Sequence, residues 1–252
     1  MKKISTKIYG KFSKIIKIIK QFFIVIIQYR EIKNSYPKRF ELSLKDIWLC
    51  LRDATVFSGF DRHYLFHTAW ASRVLAESKP KLHVDISSSL YFVVNASAFI
   101  PIDFYDYRPA QLDLSGLICK YADLTNLPFP NQSIQSLSCM HVVEHVGLGR
   151  YGEPISYDGD LRAISELKRV ISMGGELLFV VPIGGTARIQ FNAHRIYTYK
   201  QIINLFEGFD LIEFALICDE GGEGGLIRDA NEELSKLQKY GCGCFRFKKK
   251  IK

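Results

Sequence analysis

From residue 81 onward, short apolar runs alternate with stretches whose apolar residues recur every three or four positions. Residues 82–86 read as a short buried strand with Asp85 near its end, followed at once by Ser87-Ser88-Ser89. A second strand is expected over about 98–107, carrying Asp103 and Asp106, and a third over 117–121, leading to Asp123. The fourth, 133–140, places Ile134, Leu137 and Met140 in an apolar run flanked by turn formers. A helix should begin near Asp160, a residue type that caps helices. Leu161, Ile164, Leu167, Val170 and Ile171 lie on one face, and Gly174-Gly175 should end it. Residues 176–181 read as a strand, apolar from Leu177 on and stopped by Pro182, followed by a helix over 199–206 and a strand over 209–218. Gly221, Gly222, Gly224 and Gly225 then mark a mobile loop before a charged helix over 229–239. Strand and helix alternate, so the economical fold is α/β: a Rossmann-like, mostly parallel sheet flanked by helices.

The first 80 residues follow another pattern. Lysines recur at 7, 11, 14 and 17, while Ile4, Ile8, Ile15, Ile19, Phe22, Phe23 and Ile26 fall mostly on the other side. This is a basic amphipathic helix of the kind that lies in a membrane interface, or packs on its own domain or a second subunit. Its longest apolar run, 22–27, is far short of the roughly 20 residues needed to span a bilayer. Further on, Leu44, Ile47, Trp48 and Leu51 recur at helical spacing behind a capping Ser43. A helix over about 61–78 would put His63 and His67 on one face, half of a metal site. No third ligand is near in sequence, so packing is the expectation and no metal is expected. The chain thus divides into a basic helix (1–30), a helical segment (31–79), an α/β domain (80–245) and a basic tail (246–252).

Charge changes the picture of partners. The net charge is +8, yet residues 1–30 and 246–252 hold 13 of the 34 basic residues and no acid. That leaves 21 basic against 26 acidic residues in the body, about −5, which gives no support for a nucleic-acid-binding core. The six cysteines are scattered, and Cys242-Gly-Cys244 lacks the second pair of a zinc site. Reduced thiols in a cytoplasmic protein, with peripheral membrane contact through residues 1–30, are the expectation.

The chemistry concentrates where the strands end, the edge of an open α/β sheet at which ligands bind. His141, Glu144 and His145 directly follow the fourth strand. Gly147-Leu-Gly149-Arg150-Tyr151-Gly152 is too glycine-rich for a helix and reads as a flexible flap, on which Arg150 could pair a phosphate or carboxylate. Asn192, His194 and Arg195 follow the Pro182 strand and either face an acceptor or make buried structural hydrogen bonds.

The order of strand-Asp85, strand-Asp106, Ala122-Asp123, Leu127-Pro128-Phe129, His141-Val-Val-Glu144-His145, Glu166-Leu-Lys-Arg169-Val170, Gly174-Gly175 and strand-Pro182 resembles the class I S-adenosylmethionine-dependent methyltransferases. Within them it is similar to the domain-of-unknown-function 268 family, chiefly through HVVEHVGLGRYG (141–152), Asp158-Gly-Asp160 and FNAHRIY (191–197), over about residues 80–200. The resemblance implies S-adenosylmethionine as cofactor. Asp106, or Asp103, would then accept the ribose hydroxyls, Asp123 with Leu124 would hold the adenine, and Asp85 would sit near the methionine ammonium. Ser87 stands where such enzymes carry a Gly-x-Gly loop, and its Cβ narrows the pocket. His141 would wall the cofactor, or serve with His145 or His194 as a general base. Arg150, Asn192 and Arg195 would meet a small or glycan acceptor related to surface polysaccharides. The alternative is a catalytically inactive, methyltransferase-like binding protein.

Overall fold

The computed structural model describes residues 2–35, 39–219 and 225–251. They fall into two compact units, Met1–Phe60 and Asp61–Lys252. In the first, helix α1 (Lys2–Asn34) leaves Ile15, Ile16, Ile19, Phe22, Phe23 and Ile27 exposed. Among the described residues, no helix is long and apolar enough to cross a membrane. The helical spacing after Ser43 yields only a single 3-10 turn, Leu44–Asp46, whose start is capped by the Ser43 hydroxyl accepting the Lys45 N–H at 3.2 Å. Leu44 and Trp48 stay exposed, and a short apolar stripe that remains exposed does not hold a longer helix.

The second unit opens with α2 (Arg62–Ser78), whose Asp61 cap accepts the Tyr64 N–H. Strand β1 (His83–Ile86), helix α3 (Leu90–Ala96), β2 (Ile102–Asp106), β3 (Leu117–Tyr121) and β4 (Ile134–Met140) follow. Next come α4 (Gly159–Val170), β5 (Ile171–Ile183) and a small hairpin of β6 (Arg188–Gln190) with β7 (His194–Ile196). The chain ends with α5 (Tyr199–Leu205), β8 (Phe209–Ile217), β9 (Leu226–Ile227), α6 (Glu232–Lys236) and β10 (Gly241–Lys249).

The main sheet has the order β3-β2-β1-β4-β5-β10-β8-β9. Strands β1 to β5 pair in parallel, whereas β10 runs antiparallel between β5 and β8. Period-two alternation divides the core. From β5, Leu177, Phe179, Val181 and Ile183 join Ile164 and Leu167 of α4, while Leu178 and Val180 meet Trp70 and Val74 of α2 on the opposite face. Helices therefore cover both faces of the sheet, the expected Rossmann-like arrangement. Glu213 on β8 fixes α2 by accepting the Trp70 indole N–H at 3.2 Å and the Arg228 guanidinium fork at 2.7 Å.

Four local readings are corrected. Residues 246–249 are no basic tail but the end of β10, where Phe245 and Phe247 fill one face and Arg246 meets Glu176 at 2.9 Å on the other. The cap position of helix α4 is Asp158 and not Asp160, two residues earlier than predicted, which frees Asp160 for tertiary contacts. Gly174-Gly175 do not end that helix. They lie inside β5, where the register against β4 moves from Ile134↔Ile171 to Ser136↔Glu176. Finally, the charged helix shrinks to α6. Of the glycine-rich stretch before it, Gly221, Gly222 and Gly224 lie outside the described residues.

Candidate functional site

Beyond the carboxyl ends of β1, β2 and β4 lies a cavity of about 340 Å³. Its lining includes Ser87, Asp106, Asp123, Leu124, His141 and His145, six of the residues singled out in the sequence. The acids are set by local turns. Asp106 ends β2 and accepts the Arg108 N–H at 2.7 Å. Asp123 accepts both the N–H and the hydroxyl of Thr125 at 2.8 Å. Asp103, the other candidate on that strand, lies in the body of β2 and does not line the cavity.

Asp85 is not in the cavity. It is fully buried, accepts the Ser88 N–H at 3.0 Å and takes a hydrogen bond from the Ser138 hydroxyl. Burial pushes its carboxyl up to about 7. A short side chain on β1 faces β4, so Asp85 anchors the serine loop from beneath instead of meeting a ligand. The loop itself makes the turn that glycine would make. Ser87 has φ 56°, and its N–H donates to the Tyr105 carbonyl at 2.7 Å.

The other side of the cavity is built on histidine. His141, the residue after β4, also holds a left-handed backbone, φ 57°. Its Nδ1 is 2.8 Å from the buried Glu144 Oε1, and its Nε2 is 3.3 Å from Cys242 Sγ on β10. Both ring nitrogens are thus engaged, which makes His141 a wall of the cavity and not a free base. Its ring lies against Tyr64, His63 and His67 of α2, at centroid distances of 5.4, 5.4 and 5.0 Å. Burial lowers His63 and His141 to about 4 and His67 to about 3, and raises Glu144 to about 7.

His145 differs. Its Nδ1–H donates to the Ala193 carbonyl at 2.6 Å, so Nε2 carries the lone pair, and the Arg150 guanidinium approaches that nitrogen at 3.5 Å. Burial again lowers its pKa, which favours the neutral ring. His194 lies outside the cavity lining, stacked on Tyr240 at 4.9 Å. Asn192 is exposed in the turn between β6 and β7. Arg195 is buried and structural, the second of the two readings open for this trio. It donates to the carbonyls of Val146 and Tyr157 at 2.7 and 3.1 Å and pairs with Asp160 at 3.5 Å. Asp160 also accepts the Tyr197 hydroxyl at 2.9 Å. Arg195 therefore ties both ends of the glycine-rich flap to the hairpin. The flap closes on itself between them, because Ser156 N–H meets the Gly147 carbonyl and a Cβ at Gly147 would lie 2.2 Å from the Ser156 oxygen. Arg150 reaches Ala193 O at 3.1 Å and flanks His145, outside the cavity lining.

Several lining residues escaped the sequence reading. Arg108 lies over the Tyr151 ring at 4.5 Å, and Glu153 and Arg162 complete that side of the cavity. The break at Asp106-Tyr-Arg-Pro109 was visible, and it points to Arg108 as the residue turned toward the ligand edge.

Comparison with known proteins agrees with the fold. Residues 127–220 match the family described as Caenorhabditis protein of unknown function, DUF268, which supports the resemblance over that part of the chain. No curated protein matches. Among solved structures, a candidate sarcosine dimethylglycine methyltransferase from Galdieria sulphuraria superposes with a TM-score of 0.53 at 14% identity, covering 75% of this chain and 86% of that one. The 1,6-didemethyltoxoflavin-N1-methyltransferase of Burkholderia thailandensis, solved with S-adenosylhomocysteine, gives 0.52 at 10% identity, covering 74% and 79%. A chain from the complex of the Haloferax volcanii Trm112 methyltransferase activator with a candidate methyltransferase gives 0.51 at 16% identity, covering 76% and 91%. The fold is that of the class I S-adenosylmethionine-dependent methyltransferases.

Proposed function

We propose that this chain is an S-adenosylmethionine-dependent methyltransferase acting on a small, carbohydrate-like acceptor. The observation that carries the proposal is a single cavity at the sheet's carboxyl edge that brings Asp106 and Asp123 together with His145. The donor set fits the cofactor: carboxylates follow two adjacent strand ends, and Leu124 and Val142 supply apolar walls. The cofactor, when bound, supplies an electrophilic methyl group. Asp106, whose Oδ1 is held by the Arg108 N–H, would accept ribose hydroxyls, and Asp123 would accept the adenine amine. The chain's remaining task is to position the acceptor and take its proton. His145 does the second: its Nε2 receives the proton of an acceptor hydroxyl, and Glu144 Oε1, 3.8 Å away, stabilises the resulting imidazolium. Arg108, Tyr151, Glu153 and Arg162 offer the mixture of donors and acceptors that a polyhydroxylated molecule needs.

A second reading, a binding protein without catalysis, is favoured by Ser87, whose Cβ stands in the loop that otherwise approaches the cofactor backbone to backbone. Isothermal titration of the full chain with S-adenosylmethionine and S-adenosylhomocysteine separates the possibilities. Micromolar binding, weakened about tenfold or more by Asp123→Ala, is expected, since the lost carboxylate is a charged hydrogen-bond acceptor. No heat and no thermal shift at millimolar ligand would sink the methyltransferase reading.

A further inference from the structure

Five of the six histidines gather at one end of the sheet, at 63, 67, 141, 145 and 194. Methyl transfer as proposed above uses one of them as a base and one as a wall. The others call for a separate account. Three elements far apart in sequence meet here: the first turn of α2, the end of β4 and the start of β10. They bring the ligand atoms of His63, His141 and Cys242 within 4.8 Å of one another.

We propose that His63, His141 and Cys242 form a binding site for a first-row transition-metal dication, zinc by preference. Imidazole and thiolate together are the donors such ions favour over magnesium or calcium. In a tetrahedral zinc site, bonds of 2.0–2.3 Å put neighbouring ligand atoms about 3.3–3.7 Å apart. The Cys242 Sγ to His141 Nε2 distance is already 3.3 Å. The remaining closure falls to His63, which is only partly buried and stands at a helix start.

The surroundings match those of a metal-ligating histidine. Such a residue usually passes its other ring N–H to a carboxylate, and His141 Nδ1 meets Glu144 Oε1 at 2.8 Å. The His141 ring is held in place by Tyr64 and by the fully buried His67, whose Nε2 has no hydrogen-bond partner. An unpartnered imidazole nitrogen inside a protein marks a place where a water or an ion would be held. His141 also keeps a left-handed backbone at a strand end, a conformation tolerated where a side chain must be aimed. Three protein ligands leave the fourth position to water or to an acceptor oxygen. Binding converts the Cys242 thiol to thiolate and releases its proton to solvent. The expectation from sequence, that His63 and His67 only pack and that Cys242 lacks partners for a zinc site, missed this arrangement. Its ligands lie 78 and 101 residues apart.

The test does not depend on methyl transfer. The full chain, stripped of metal and kept reduced with a phosphine, is titrated with Co²⁺ and followed by absorption. One equivalent per chain should bind with a sulfur-to-cobalt charge-transfer band in the near ultraviolet, and Zn²⁺ should bleach it. Cys242→Ser should abolish the band, and His63→Gln should weaken binding at least about tenfold, about 1.4 kcal/mol. Cys50→Ser, at an exposed thiol, should change neither. No thiolate band in the native chain would overturn the site, as would a band that survives Cys242→Ser. Should Cys242→Ser fail to fold, unchanged affinity in His63→Gln overturns it equally.

Discussion

At the β1–β2–β3 end of the sheet, the cavity's acids are held by near neighbours: Asp106 by Arg108, and Asp123 by Thr125. At the β4–β10 end, most polar groups are held across long loops. His141 meets Cys242, His145 meets Ala193, and Arg195 meets Val146 and Tyr157. The acidic side can form as soon as its strand and turn form. The histidine side exists only once α2, β10 and the β6–β7 hairpin have docked. Its integrity is therefore a tertiary property, and it is the side on which substitutions should cost the most.

The largest effect is expected at Arg195. Replacing it with Ala leaves Asp160 buried without its cation and three flap carbonyls without their donor. Removing one partner of a buried pair costs about 3–5 kcal/mol. Urea unfolding should show a lower midpoint of that size for Arg195→Ala. Arg108→Ala on the acidic side should stay within about 0.5 kcal/mol, since the Asp106 contact uses the backbone N–H of residue 108. Equal losses in the two variants would erase the distinction between the sides.

A smaller effect reads the buried groups by pH. His67 is fully buried, and its folded pKa of about 3 lies below the 6.5 of an unfolded histidine. The unfolded chain therefore binds more protons in that window, so stability is complete above 6.5 and is lost as pH falls toward 3. Between pH 6.5 and 5 the loss from this imidazole is on the order of 1–2 kcal/mol. Asp85 and Glu144 run the other way: burial raises both carboxyls to about 7, so their contributions are full below about 4 and are lost as pH rises to 7. Equilibrium unfolding across pH 4–8 should show both arms. In His67→Gln the acid arm should shrink, and an unchanged acid arm would remove His67 as its source.

These two sides also differ in how far they could be read from sequence. Asp106, Asp123 and Ser87 were legible because a turn residue after an apolar run declares itself within four or five positions. The strand positions followed from alternation for the same reason, down to Leu117–Tyr121. Strand β10 was lost because its last residues are basic, although Phe245 and Phe247 keep the period of a strand. Asp85 was misread since the strand end gives its position and not which face it buries. His63 and Cys242 carry no local signal at all. Only the sheet order, with β10 inserted beside β5, brings them to His141.

The smallest predicted effect lies on the acidic side, at Ser87. Its φ of 56° is a conformation that an L-residue adopts at a cost of roughly 1–2 kcal/mol and glycine adopts freely. Glycine also gives the unfolded chain more freedom, which offsets about half of that gain. Ser87→Gly should therefore stabilise the fold by about 0.5–1 kcal/mol, read as a higher urea midpoint at unchanged slope. The Ser87 hydroxyl reaches the Tyr105 carbonyl only at 3.3 Å, so its loss subtracts little. The same change removes the Cβ from the cavity wall, and titration with S-adenosylhomocysteine should show equal or tighter binding. Stabilisation with weaker binding would mean that the serine hydroxyl itself contacts the ligand. In that case the serine loop is a binding device of this chain and not a remnant of a lost glycine turn.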